Sequence, residues 1–226
     1  MKKYINALLL SLYFVASGFA HAETPVSTPF LHTPVAGKDY MVIKNPKLIY
    51  PPTGKIEVIE FFWYGCPYCN KFEPILKNWI KKQGNKINFK RIPVAFGKKF
   101  VSHSRLFYTL DNLGLSEKFT PVIFNEIHNK KNYLSKQQDQ VDFLERQGID
   151  KKEFINIYNS SDVENKIKKS IEIIKAYEII TVPTVIISGK YKTGPSYTKS
   201  LIDTTVVLNH LIKQIEDEKN KSTNIK

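Results

Sequence analysis

Residues 56–69, IEVIEFFWYGCPYC, decide the fold class of this chain and carry its chemistry. The first part, Ile56 to Trp63, is almost entirely apolar, β-branched or aromatic, which predicts a buried central strand of a parallel or mixed sheet. A helix then begins at the cysteines, because Pro67 suits the first helical position, where its missing N–H is not needed. The stretch therefore predicts a strand that leads directly into a helix at a C-x-x-C pair.

Cys66 and Cys69 are the only cysteines of the chain. At a helix N-terminus, unpaired backbone N–H groups and the positive end of the helix dipole favour a thiolate. The two-residue spacer brings the second sulfur close enough to form a bridge. We expect Cys66 to exchange disulfides with a substrate and Cys69 to resolve the mixed disulfide.

Two other roles would also suit a close pair of cysteines. A structural disulfide is disfavoured because so short a loop constrains the unfolded chain little. A zinc site needs four ligands, but no second C-x-x-C is present and the histidines are scattered, so we expect no metal. Copper(I) held by the two thiolates stays open as an alternative.

The rest of the chain predicts a split α/β unit with an all-helical subdomain between its halves. Residues 87–94 form a second predicted strand, and apolar residues recur at helical spacing from about 100 to 177. Strand character returns at 184–187, followed by a predicted hairpin turn at 188–190 and an amphipathic helix over 199–216. The polar residues beyond 216 predict a disordered tail.

The N-terminal residues predict export. A positive start at Lys2 and Lys3, a short apolar run and an Ala20-His21-Ala22 cleavage signal are typical of a secretory signal peptide, cut after Ala22. The net charge of +13 comes mostly from lysines spread along the whole chain. A nucleic-acid-binding protein would concentrate its charge on one element, so we expect no nucleic-acid partner.

Two further features fall near the cysteine pair. Glu60 interrupts the apolar strand, and a buried carboxylate could exchange a proton with Cys69; the alternative is a strand-end glutamate that reaches solvent or a lysine. Pro183 precedes the later strand, where a proline removes a ladder donor. A cis Val182–Pro183 bond would leave the Val182 backbone free to pair with an extended substrate.

Together these residues resemble the DsbA family of exported dithiol oxidases. The resemblance depends on the export signal, on Glu-Phe-Phe-x-x-x-Cys-Pro-x-Cys at 60–69, on Val182-Pro183 before a strand and hairpin, and on the helical insert. It implies a thioredoxin fold with an inserted all-helical domain. The implied segments are a signal peptide (1–22), a flexible lead-in (23–36), the thioredoxin-like domain (37–98 and 178–216), the helical insert (99–177) and a disordered tail (217–226).

The resemblance also implies a function. Cys66 would be the exposed nucleophile, Cys69 the buried resolving thiol, Glu60 the buried acid and Pro183 the cis-proline facing them. The Cys66–Cys69 disulfide, with no other cofactor, would pass to reduced, unfolded polypeptides in the periplasm. A quinone-linked membrane partner of the DsbB type would reoxidise the protein, which we expect to be a monomer.

One residue departs from the best-known family member, which has His where this chain has Tyr68. A tyrosine offers no positive charge near neutral pH, so a milder oxidant is expected, tuned by the Pro67-Tyr68 dipeptide. A disulfide reductase or isomerase of the same fold therefore remains an alternative. A Cu(I)-binding module of thioredoxin-like fold is the second alternative.

Overall fold

The structure, a computed structural model, describes residues 32–46, 49–50 and 54–223. The predicted signal peptide over 1–22, the lead-in up to 31 and the last three residues of the tail lie outside the described residues. Along the described part of the chain, none of the helices has the length and apolar character that crossing a membrane requires.

The strands of the described residues form one mixed five-stranded sheet in the order β1-β5-β4-β2-β3. They are β1 (Met41–Val42), β2 (Ile56–Phe62), β3 (Ile87–Pro93), β4 (Thr184–Ile187) and β5 (Tyr191–Thr193). The central strand β2 pairs in parallel with β3 and antiparallel with β4, and all of its residues are buried. The prediction of a buried central strand over this stretch is confirmed.

The helices divide into those that cover the sheet and those of an insert. They are α1 (Pro67–Gln83), α2 (Lys98–Asn112), α3 (Ser116–His128), α4 (Gln137–Arg146), α5 (Lys151–Tyr158), α6 (Ser161–Ala176) and α7 (Leu201–Thr223), with a short 3₁₀ turn over Gly84–Lys86. Helices α2 to α6 follow one another between β3 and β4. This arrangement matches the predicted α/β unit with an all-helical insert.

The hairpin between β4 and β5 has the turn that its sequence predicts. Ser188 and Gly189 both have positive φ, 49° and 63°, and the Lys190 N–H donates to the Ile187 carbonyl at 2.9 Å. A turn with two central residues of positive φ matches the right-handed twist of the flanking strands. The hairpin therefore sets the register in which β5 pairs with β4.

Both predictions for the ends of the chain need correction. Helix α7 does not stop at residue 216 but continues to Thr223, because Glu218 pairs with Lys190 and accepts from the Tyr191 hydroxyl on β5. At the other end, Asp39 accepts from the Val35 N–H at 2.9 Å and pairs with His32. The end of the predicted flexible lead-in is therefore bound to the folded domain.

The core beside the cysteines is shared by the sheet and the insert. One cluster of buried residues joins Phe62, Tyr64 and both cysteines to the apolar faces of α2 and α3, including Phe107 and Phe124. Side chains from two parts of the chain thus form a single packed surface, which resists local displacement. The segment leading to the cysteines is built into this surface.

Candidate active site

The cysteine pair lies at the N-terminus of α1, as the sequence predicts. Cys66 is the N-cap residue with extended backbone, Pro67 follows at the first helical position, and the Cys69 N–H donates to the Cys66 sulfur at 3.4 Å. Both cysteines are free thiols in this structure. Cys66 keeps 8% of its surface exposed and Cys69 keeps none. A reagent approaching from solvent therefore meets the sulfur of Cys66 first.

The surroundings push the pKa values of the two thiols apart. The hydrogen bond from the Cys69 thiol, helped by the backbone N–H groups of Cys69 and Tyr68 and opposed by burial, lowers the pKa of Cys66 to about 7. Burial, together with the neighbouring Cys66 and the charge of Glu60, raises the pKa of Cys69 well above its ordinary value. Near neutral pH, Cys66 is therefore the sulfur that carries thiolate character.

The loop before β4 faces Cys66. The Val182–Pro183 peptide bond is cis, and the Cys66 thiol donates to the Val182 carbonyl at 3.4 Å. A Cβ atom at Gly194 would lie 2.6 Å from the Pro183 carbonyl oxygen, so only glycine fits where the chain passes this loop. The loop and the helix N-terminus thus meet at one sulfur, although their residues are far apart in the sequence.

Glu60 is buried beneath the site and is paired with an arginine. Its side chain accepts from Arg91 Nε at 2.9 Å, the two residues being direct neighbours across the parallel strands β2 and β3. Arg91 also donates to Glu73 on α1 and to Glu117 on α3, each at 2.8 Å. Glu60 therefore does not reach solvent or a lysine, and its partner is an arginine that is itself 1% exposed.

Burial governs the protonation of this cluster. It raises the pKa of Glu60 and of Glu73, while the Arg91 charge acts in the opposite direction on both. The charge of Glu60 in turn helps to raise the pKa of Cys69, which places this carboxylate within electrostatic reach of the buried thiol. A carboxyl group that takes up a proton near neutral pH is suited to exchange one with a thiolate.

Comparisons with known proteins agree with this geometry. Residues 51–204 match the family model described as thioredoxin. The thiol:disulfide interchange protein DsbA of Burkholderia cepacia is 52% identical over 219 residues, which cover 97% of this chain and 100% of the relative. The chain belongs to the DsbA family. The protein of the same name from Pseudomonas syringae pv. tomato is 36% identical over 87% of this chain and 92% of its own length.

Solved structures of DsbA proteins share the fold of this chain. The crystal structure of Pseudomonas aeruginosa DsbA has a TM-score of 0.76 at 32% identity, covering 85% of this chain and 97% of that chain. The oxidoreductase DsbA of Xylella fastidiosa has a TM-score of 0.77 at 25% identity, covering 82% and 100%. The predicted resemblance and fold are confirmed, and family membership favours a dithiol oxidase over the reductase, isomerase and copper alternatives.

An open cleft borders the DsbA-type dithiol. It has a volume of about 400 Å³ and is lined by Tyr68, Thr181, Val182, Pro183, Pro195, Ser196, Lys199, Ser200 and Leu201. The Tyr68 ring is 62% exposed, and Ile180 next to the loop is 86% exposed. The exposed Tyr68 ring at the edge of this cleft is an apolar surface on which an unfolded chain can bind.

Several residues of the site were not found from the sequence. Arg91, Glu73 and Glu117 lie on three different elements and become neighbours only in the fold. The one available signal was the position of Arg91, which shares the two-residue period of Ile87 and Phe89 in β3, because an inward-pointing arginine needs carboxylate partners. Among the described residues, no group of three or more His, Cys, Asp or Glu side chains is arranged to hold a metal ion.

Proposed function

We propose that this chain oxidises newly exported polypeptides by donating the Cys66–Cys69 disulfide to them. One observation carries the proposal: the Cys66 sulfur lies at the helix N-terminus, 3.4 Å from the Val182 carbonyl and beside an open cleft. A substrate thiolate attacks Cys66 of the oxidised protein, and the S–S bond breaks with its electron pair going to Cys69. A second substrate thiolate then attacks the substrate sulfur of the mixed disulfide and releases Cys66 as a thiolate. The substrate loses two electrons and two protons, and the protein becomes a dithiol.

The difference between the two thiols supports this order of events. Cys66 is the better leaving group in the second step, because its pKa of about 7 is the lower of the two. Cys69 needs a proton when it leaves in the first step. In the proposed mechanism the buried Glu60 supplies that proton, and Arg91 holds the carboxyl group of Glu60 in place.

The cleft beside Cys66 supports binding of the substrate backbone. Val182 and Pro183 take the extended segment that carries the reacting cysteine, and exposed Ile180 and Tyr68 contact its apolar side chains. Lys199 adds a positive charge to the wall of the cleft. Binding through backbone groups and apolar contacts depends little on the sequence of the substrate. A protein that acts on unfolded chains must accept many substrate sequences in this way.

The proposal includes the compartment and the partners implied by the family. The protein acts in the periplasm as a monomer after cleavage behind Ala22, and a DsbB-type membrane oxidoreductase linked to quinones restores its disulfide. No cofactor other than the redox-active pair takes part. The predicted signal sequence at residues 1–22 and the membership of the DsbA family support this location.

Replacing the resolving cysteine tests the proposal. We expect Cys69→Ala to accumulate mixed disulfides between Cys66 and exported polypeptides, because the competing attack by Cys69 on the adduct is lost. The measurement is a non-reducing gel of the periplasmic fraction, with adducts that disappear on reduction. The matched control is the double variant with Cys66→Ala as well, which should form none. A Cys69→Ala protein that captures no polypeptide would contradict the proposed function.

Position 68 is expected to tune the oxidising strength. In Tyr68→His, an imidazolium beside the Cys66 thiolate should lower the pKa of Cys66 from about 7 by on the order of one pH unit. A more stable reduced form makes the disulfide a stronger oxidant, so the equilibrium with glutathione should shift by roughly tenfold toward the dithiol. Tyr68→Phe adds no charge and serves as the control. Equal glutathione equilibria for the two variants would contradict the tuning role.

A further inference from the structure

Helix α3 of the insert contacts Tyr64 at three points. Thr120, Phe124 and His128 follow one another at four-residue intervals and so share one face of the helix. Thr120 Oγ1 lies 3.3 Å from the Tyr64 hydroxyl, the Phe124 and Tyr64 ring centroids are 5.4 Å apart in an edge-on arrangement, and His128 Nε2 lies 2.8 Å from the Tyr64 carbonyl oxygen. The hydroxyl, the ring and the backbone of Tyr64 are all held by one helix face.

The donors of these hydrogen bonds follow from their chemistry. Thr120 gives its one hydroxyl hydrogen to the Ser116 carbonyl at 2.8 Å, so the Tyr64 hydroxyl donates to Thr120. The Tyr64 carbonyl can only accept, so His128 carries a hydrogen on Nε2 and donates it. Tyr64 is 1% exposed, and its burial raises the pKa of the phenol, which therefore stays a donor near neutral pH.

Tyr64 lies in the turn that delivers Cys66 to the helix. The Cys66 N–H donates to the Trp63 carbonyl at 2.9 Å, which makes Tyr64 and Gly65 the central residues of a four-residue turn. A Cβ at Gly65 would lie 2.4 Å from the Trp63 ring, so the indole lies against the bare backbone of this turn. The orientation of the turn determines where the Cys66 sulfur lies relative to the first N–H groups of α1.

We propose that His128 is a positioning residue for Cys66, acting through the Tyr64 carbonyl, and that Thr120 and Phe124 complete a clamp on the turn. The clamp gives the helical insert a part in the chemistry, since α3 belongs to the insert and Tyr64 follows the central strand. Family membership does not assign this role. The inference rests on the proposed function in one respect, because both take Cys66 as the sulfur that reacts with the substrate.

The test compares two substitutions of His128 with a control on the same helix. His128→Ala removes the donor, and His128→Gln keeps an N–H that can reach the Tyr64 carbonyl. Asn125→Ala is the matched control, because Asn125 is exposed on α3 and contacts the side chain of Asn129 instead of the turn. Each reduced full-length protein is titrated by the ultraviolet absorbance of the thiolate and equilibrated with a glutathione series.

We expect the loss of one hydrogen bond to raise the pKa of Cys66 by about half to one pH unit in His128→Ala, with a several-fold shift of the glutathione equilibrium toward the disulfide. His128→Gln should restore most of both values, and Asn125→Ala should match the unsubstituted protein. A residue that only stabilises the fold would change the unfolding temperature without moving either quantity.

Two results would overturn the clamp. One is a folded His128→Ala protein with an unchanged Cys66 titration, and the other is an equal change in the Ala and Gln variants. If His128→Ala does not fold, Thr120→Val tests the same clamp at the Tyr64 hydroxyl, and an unchanged titration there overturns it. The titration needs no polypeptide substrate, so its outcome is independent of the proposed function. A shifted Cys66 titration in His128→Ala, together with a Cys69→Ala protein that captures no polypeptide, would contradict the proposed function and still support the clamp.

Discussion

Cys66→Ala should reduce the catalysed oxidation of a reduced, unfolded polypeptide to the rate of the glutathione buffer alone. The reason is geometric, since Cys69 has no exposed surface and cannot replace Cys66 as the sulfur that a substrate attacks. The fold should persist, because the core around the pair is built from aromatic and aliphatic side chains that do not depend on the bridge. The measurement is the rate of disulfide formation in the substrate, with circular dichroism as the check on folding. A folded variant that oxidises at the unsubstituted rate would show that the nucleophile is assigned wrongly.

The same substitution should change how the stability of the reduced protein depends on pH. The pKa of Cys66 is about 7 in the folded protein, below the ordinary value of 9.0, so its thiolate favours the folded state. This stabilisation is fully present above the unfolded pKa and is lost as the pH falls through about 7. The free energy of unfolding of the reduced protein should therefore rise, relative to Cys66→Ala, between about pH 6 and about pH 9. Parallel curves for the two proteins would contradict the lowered pKa.

Among the substitutions proposed for this protein, Arg91→Met is expected to produce the largest loss in the free energy of unfolding. It leaves Glu60 and Glu73 buried without their shared cation, and breaking a buried ion pair by removing one partner costs about 3–5 kcal/mol. Urea unfolding measures the loss. Arg146→Met is the matched control, because Arg146 is exposed on α4 and its loss should change the free energy of unfolding by about 0.5 kcal/mol or less.

The pH dependence of Arg91→Met separates a charge effect from a packing effect. Without the arginine, the pKa values of Glu60 and Glu73, already raised by burial, rise further. A group with a raised folded pKa destabilises the folded state increasingly as the pH rises toward that value, so the variant should lose more stability at about pH 8 than at about pH 5. A loss that is equal at both pH values would show that Arg91 contributes mainly by its volume.

Features that depend on neighbouring residues were predictable from the sequence. Helix α1 begins at Pro67, directly after its N-cap Cys66, because proline suits the first helical position, and the hairpin turns at Ser188-Gly189 because glycine adopts positive φ at no steric cost. The buried strand before Cys66 was evident from its unbroken apolar and aromatic character, and the helical insert from its apolar spacing. These are local properties of backbone and side-chain chemistry, so they survive when the rest of the chain is unknown.

The end of the last helix shows where local reasoning fails. The polar residues after Glu216 have no apolar face of their own, which predicted disorder. In the fold Glu218 lies beside β5, where Lys190 and Tyr191 bind it, and the helix continues to Thr223. The predicted end of α7 was wrong because those partners lie about thirty residues away in sequence.

The fold class, the dithiol at a helix N-terminus and the reaction class follow from the amino-acid sequence alone, because a strand, a turn and a capped helix are encoded within a few consecutive residues. The surroundings of the dithiol depend on the complete fold. Glu60 meets Arg91 because β2 and β3 pair in one particular register, and Tyr64 meets His128 because α3 packs against the turn. Such contacts depend on the relative placement of whole elements, which is set by the packing of the complete core and not by any short stretch of residues.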